Sequence, residues 1–153
     1  MHRALTLIAV AAAALALGTA PATAATQHQL VGIEVNSSPA TFIGTLLDQA
    51  GTWNATIQHN PLNTSTGATT SITGGSFSIT TFRPYAIVQG TISGGQITAG
   101  PVTVFNPWSC RQRFGVVGAL TSGSFGGVLT HYGFPSGGAC VPVAATFAGS
   151  ATL

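Results

Sequence analysis

The chain has 153 residues, of which 45% are hydrophobic and only 4% charged, with a formal net charge of +2. Disordered chains combine low hydrophobicity with high charge, the reverse of this balance, so the composition belongs to a chain that folds. Nucleic-acid binding is excluded as well, because it needs clustered cations against successive phosphates, and beyond Arg3 the chain offers only Arg83, Arg111 and Arg113, with no lysine.

Met1, His2 and Arg3 make a short positive head, and residues 4–17 form an apolar stretch. That stretch is shorter than the ~20 residues a transmembrane helix needs, but it suits the apolar core of a signal peptide. Gly18 and Pro21 break the run, and Ala22-Thr23-Ala24 supplies small residues for cleavage. The expected organisation is a signal peptide over residues 1–24 and one domain over 25–153, secreted or cell-wall associated, with no transmembrane helix in the mature chain. The two cysteines, Cys110 and Cys140, then face an oxidising compartment and are expected to form one disulfide.

Beyond the leader the signals are those of strands and turns, with Thr, Val, Ile, Phe and Gly dominant. Segments 30–35, 40–47 and 52–58 read as strands, although 46–49 also suits a helical turn. Residues 60–70 carry Ser, Thr, Asn and Gly with little apolar content and read as the longest surface loop. In 76–82 the inward side chains are Phe77 and Ile79; in 86–92 they are Val88 and Ile92, with Gln89 and Thr91 outward. Segments 114–120 and 125–132 pair across Ser122-Gly123. The last strand, 141–153, alternates most clearly and puts Val141, Val143, Ala145, Phe147 and Ala151 on one apolar face.

The glycine pairs Gly74-Gly75 and Gly94-Gly95, with Ser122-Gly123, mark hairpins or bulges and imply a meander. Some eight short antiparallel strands can close into an up-and-down barrel or split into a β-sandwich. The barrel is the expected all-β architecture. An uncharged C-terminal strand left at a sheet edge would invite aggregation, and closure removes that edge.

Catalytic signatures are scarce. The chain holds two acids: Glu34 reads as a solvated strand residue and Asp48 as a turn residue, so a working carboxylate pair would require the fold to join them. The nucleophile elbow Gly-x-Ser-x-Gly and the phosphate-binding glycine loops are absent. Among the later histidines, His28 reads as part of a frayed start, His59 lies beside the long loop, and no pair with His131 has metal-motif spacing. No cofactor or metal is therefore implied.

His131 continues the inward face of Phe125, Gly127 and Leu129, where an imidazole at a barrel mouth could orient a ligand. Trp108, Arg111 and Arg113 gather beside Cys110; aromatics stack on flat or ring-shaped partners and arginine grips anions. Asn36-Ser37-Ser38, Asn54-Ala55-Thr56 and Asn63-Thr64-Ser65 fit the glycosylation triplet, as chance provides in a chain so rich in Ser and Thr.

The Ala-rich leader, the Gly-Ser-Phe elements at 75–77 and 123–125, Leu-Thr-His-Tyr at 129–132 and Gly-Gly-Ala-Cys at 137–140 resemble small exported bacterial β-barrel proteins. In outline these are similar to calycin-like or allene-oxide-cyclase-like barrels. The resemblance implies an exported barrel; no diagnostic motif of either family stands here, so no ligand or reaction carries over. The expected role is a non-enzymatic binding or surface protein for a small apolar molecule, a cell-wall glycan or another protein, bound near His131 or on the Trp108, Arg111 and Arg113 segment. The alternatives are a barrel enzyme of cyclase or isomerase type and a small outer-membrane barrel.

Overall fold

The computed structural model describes residues 24–153; the expected signal peptide lies almost wholly outside them. Eight antiparallel strands follow in chain order: β1 (Gln27–Ser37), β2 (Ala40–Leu46), β3 (Gly51–His59), β4 (Thr69–Phe82), β5 (Tyr85–Asn106), β6 (Ser109–Leu120), β7 (Gly123–Ser136) and β8 (Ala139–Thr152). Each pairs with its neighbour in sequence, and β1 pairs with β8 from Gln27↔Thr152 to Ile33↔Thr146, which closes the barrel. Every strand read from the sequence is present, and the open-edged sandwich is not the solution adopted.

The alternation works as strand geometry requires where the strands are regular. Phe77, Ile79, Phe114, Val116, Ala145, Phe147 and Ala151 are buried, whereas their outward neighbours Ser78, Gly115, Val117, Thr146 and Ala148 are less buried or exposed. Leu120 pairs with Gly123 to close the expected tight turn between β6 and β7. The long loop falls between β3 and β4, as expected.

Two expectations fail, each for a local reason. Val141 and Val143 were placed inward, yet Val143 is 74% exposed and Val141 is exposed too. The register slips between Tyr132 and Gly133 against β8, and that one-residue bulge exchanges faces. Val88 is exposed because residues 82–89 run past the rest of the barrel wall with no side buried. Of the two expectations for Gly74-Gly75 and Gly94-Gly95, hairpins or bulges, the second holds: both pairs lie inside β4 and β5, beside register shifts opposite Gln58 and His59 and between Ile92 and Gly94. Gly75 pairs with Ile92 and Gly95 with Ile72, and both glycines have positive φ, a backbone that residues with a side chain rarely adopt. The connection between β2 and β3 is a bend, not a helical turn.

The two ends of the barrel interior differ. At the end nearer the β2–β3 and β6–β7 connections, Phe42, Trp53, Phe77, Phe125 and Phe147 form a train of rings with centroids 5.5 to 6.5 Å apart. A void of only about 10 Å³ remains among them, too little for more than one water. Trp53 fits because Gly32 and Gly44, partners across β1 and β2, leave bare backbone beneath it. Its indole N–H donates to the Val31 carbonyl at 2.9 Å.

Candidate functional site

The other end is hollow. A cavity of about 230 Å³ lies inside the wall, lined by Phe42, Ile57, Leu62, Ile97, Val116, Leu129 and Phe147, with Glu34, His59 and His131 among the few polar lining groups. An eight-stranded barrel has an interior that side chains can just fill or that holds one small ligand; here it does each at a different end.

His131 reaches the cavity because β7 keeps its alternation from Phe125 through Leu129 to His131, all inward and buried. Its ring packs on Phe114 with centroids 4.8 Å apart. His131 Nε2 lies 3.9 Å from Glu34 Oε2, too long for a hydrogen bond. Burial pushes the His131 imidazole below its ordinary value. Burial likewise raises the Glu34 carboxyl, with the charge of His59 pulling it part of the way back. The apolar setting thus pushes both groups towards their uncharged forms.

Glu34 is a correction to the sequence reading: it is not solvated, its side chain being 15% exposed. A bulge between Glu34 and Asn36 in the pairing with β2 accompanies this placement. The bulge comes after Glu34, so the alternation from Leu30 through Gly32 already carries this acid inward, and its polar character alone makes it read as solvated. Asp48 sits far from it, in the β2–β3 connection, so the two acids form no pair. His28 is also corrected, since it is buried, not frayed. Its Nδ1 lies 2.9 Å from Asp48 Oδ2, while the Gln29 N–H donates to Asp48 Oδ1 at 2.8 Å. Partial burial would raise the Asp48 carboxyl, but these hydrogen bonds outweigh it and hold the group below its usual range.

The β3–β4 loop caps the cavity. Leu62 lies against the core, and the backbone is tied down by Gly67 N–H to Ala99 O at 2.7 Å and Ala99 N–H to Ala68 O at 2.9 Å. Gln112, 1% exposed on the inward side of β6, donates from Nε2 to the carbonyls of Thr64 at 2.7 Å and Gly100 at 2.9 Å. Its Oε1 is buried without a partner, and it stands opposite His131 in the β6–β7 register. Sequence reasoning missed Gln112, because a glutamine in an apolar strand reads as an outward residue. The expected disulfide is present: Cys110 on β6 joins Cys140 on β8 across β7, at this same end.

Trp108, Arg111 and Arg113 do not join His131. Trp108 is 84% exposed in the turn between β5 and β6, and Arg111 and Arg113 alternate with the buried Cys110, Gln112 and Phe114, so they face outward. The Arg111 guanidinium lies 5.3 Å from the centre of the Phe105 ring, within cation–π range. The sequence thus named two separate places, one inside the cavity and one on the outer wall. Among the described residues no group of three or more His, Cys, Asp or Glu could hold a metal ion, and no helix is long and apolar enough to cross a membrane. No family model, curated protein or solved structure matches the chain.

Proposed function

We propose that this chain is an exported barrel that binds one small, mainly apolar molecule bearing a single hydrogen-bonding group, without chemically changing it. The observation that carries the reading is the cavity of about 230 Å³ whose apolar wall is broken by Glu34, His59 and His131. Ligand sites are mostly apolar concavities with a few placed polar groups, and this volume sits just below the ~300 Å³ at which drug-sized ligands begin. The polar groups at its edge are too few for the hydroxyls of a sugar, which disfavours a glycan inside. A membrane-spanning barrel has a polar lumen and an apolar outer belt; the aromatic filling here is the opposite. Export is supported by the leader and by the disulfide, which persists in oxidising compartments.

The test is binding of N-phenyl-1-naphthylamine by residues 24–153, read as fluorescence enhancement, with medium-chain alcohols and acids as competitors. Val116→Trp and Leu129→Trp project bulk into the cavity and should abolish binding while circular dichroism stays that of the parent. Unchanged binding in both variants would sink the proposal.

One observation favours a second reading. A carboxyl raised by burial and an imidazole lowered by burial, 3.9 Å apart, are brought closer in proton affinity than in water, as a general acid–base pair of an isomerase or cyclase would use. The two readings separate at Glu34→Gln: a carrier keeps its ligand unaltered in wild type and variant alike, whereas an enzyme converts it and the variant does not.

A further inference from the structure

The outer wall at the hollow end carries a feature the cavity does not explain. Phe105, Trp108, Tyr132, Phe134 and Val143 are all exposed there, Trp108 at 84% and Val143 at 74%. Arg111 pairs with Tyr132, Tyr132 with Ala144, and Phe134 with Val141, so the patch is continuous from β5 to β8. A contiguous apolar patch of this kind on a protein surface marks an interaction site. The middle of the outer faces of β4 and β5 is polar instead, with Ser76, Ser78, Gln89 and Thr91, so the fold does not require an apolar surface all round.

Charge decides the occupant. Arg111 and Arg113 flank the aromatic side chains on the outer face of β6. Among the described residues the only carboxylate side chains are Glu34, turned into the cavity, and Asp48, bound to His28 near the opposite end. A second copy of this chain therefore has only Asp48 exposed, one acid already hydrogen-bonded to His28, to set against the two arginines. A glycan would need hydrogen-bonding side chains where this patch has Val143, Phe134 and Phe105. An anionic lipid surface matches on both counts: Trp and Tyr favour the headgroup boundary with their apolar bodies inward, and arginines meet the lipid phosphates.

We propose that this wall docks the barrel on an anionic lipid surface, with the hollow end set against the bilayer. The cap formed by the β3–β4 loop then faces the source of apolar molecules. The docking stands on the outer wall alone and holds whether or not the cavity takes a ligand.

The experiment is co-sedimentation of residues 24–153, which omit the apolar 4–17 stretch that would bind vesicles by itself. The vesicles are phosphatidylcholine with about one-third phosphatidylglycerol, against phosphatidylcholine alone, at about 0.1 M salt, where the screening length is near 10 Å. Binding should favour the anionic vesicles. Arg111→Gln and Arg113→Gln should each lower partitioning about fivefold, the effect of one cation at a lipid surface. Trp108→Ser should lower it on both vesicle types, while Tyr85→Ser, 71% exposed at the opposite end, should leave it unchanged. All of these side chains are exposed or outward, so the variants keep the fold, which a thermal melt confirms. Equal binding to both vesicle types, indifference to the arginine changes, or loss with Tyr85→Ser would overturn the proposal. So would reversible self-association that Trp108→Ser abolishes in sedimentation velocity, or retention on insoluble glycan without vesicle binding.

Discussion

Replacing Gly44 with alanine is a one-methyl change whose cost can be worked from the wall. A Cβ there collides with the Val31 carbonyl and the Trp53 indole nitrogen, and comes to 2.7 Å from Gly32 Cα. Backbone carbonyl and a ring locked between Phe42, Phe77 and Phe147 cannot move aside cheaply. Overpacking costs about 1–3 kcal/mol, and displacing the ring breaks the Trp53–Val31 hydrogen bond, stranding a buried donor at about 1–3 kcal/mol. Against this, alanine recovers about 0.4–1 kcal/mol of unfolded-chain entropy, for a net loss of about 1–5 kcal/mol. Gly115→Ala supplies the matched comparison, since nothing lies within 4 Å of its Cβ and it faces outward on β6. That variant should be stabilised by about 0.4–1 kcal/mol. Urea unfolding followed by far-ultraviolet circular dichroism, with Trp53 fluorescence in a Trp108→Phe background, gives both numbers. If Gly44→Ala proves as stable as Gly115→Ala, the tight seat of Trp53 on bare backbone is wrong.

The remaining predictions concern the hollow end. Changing both Cys110 and Cys140 to alanine should cost about 3–4 kcal/mol in urea unfolding, the effect of closing a loop of this length, and the parent under reductant should fall to the same value. Glu34→Gln should stabilise the fold at pH 7–8. A carboxyl whose folded value is raised keeps its proton after the unfolded chain has lost its own, so stability falls as pH climbs from about 4.5 through the folded value. The advantage of the variant should vanish near pH 4.5, and an advantage that grew on acidification would refute the placement of Glu34. His131→Gln should act on the other side, removing the loss of stability that the parent suffers as pH drops below 6.5, where the unfolded imidazole binds a proton that the buried one resists. Gln112→Ala should raise amide exchange across residues 60–68 and speed probe release, because both ties from Nε2 are cut; unchanged exchange would mean that the loop is held by its bonds to Ala99, Thr70 and Ser71 without help from Gln112.

Strand number, order and closure were legible because they depend on period-two alternation and on turn residues, which a barrel shows in plain form. Phe77, Ile79, Phe147 and Ala151 were placed on the correct face by parity alone. Parity fails wherever a bulge adds a residue, and a bulge is set by pairing with another strand, which no single segment reveals. Val143 turned outward for that reason. His131 lay on an unbroken alternating run and was found. Glu34 and Gln112 lie on runs equally regular, after Leu30 and Gly32 and between Cys110 and Phe114, and were missed because a polar side chain reads as outward whatever its parity.

The same contrast bears on why the molecule tolerates a hollow end. Left dry, a cavity of about 230 Å³ forgoes roughly 5 kcal/mol at ~24 cal/mol per Å³, a loss that the aromatic train at the other end does not suffer. The disulfide sits at this hollow end and restores about 3–4 kcal/mol by restricting the unfolded chain, without occupying the space that a further side chain would fill. Exchanging packing for a covalent tie keeps the volume open, and it leaves the filling of that volume to an occupant. An occupant that binds only the folded barrel must raise its melting temperature as its concentration exceeds Kd, and the cavity-filling Val116→Trp should reproduce part of that rise with no ligand present.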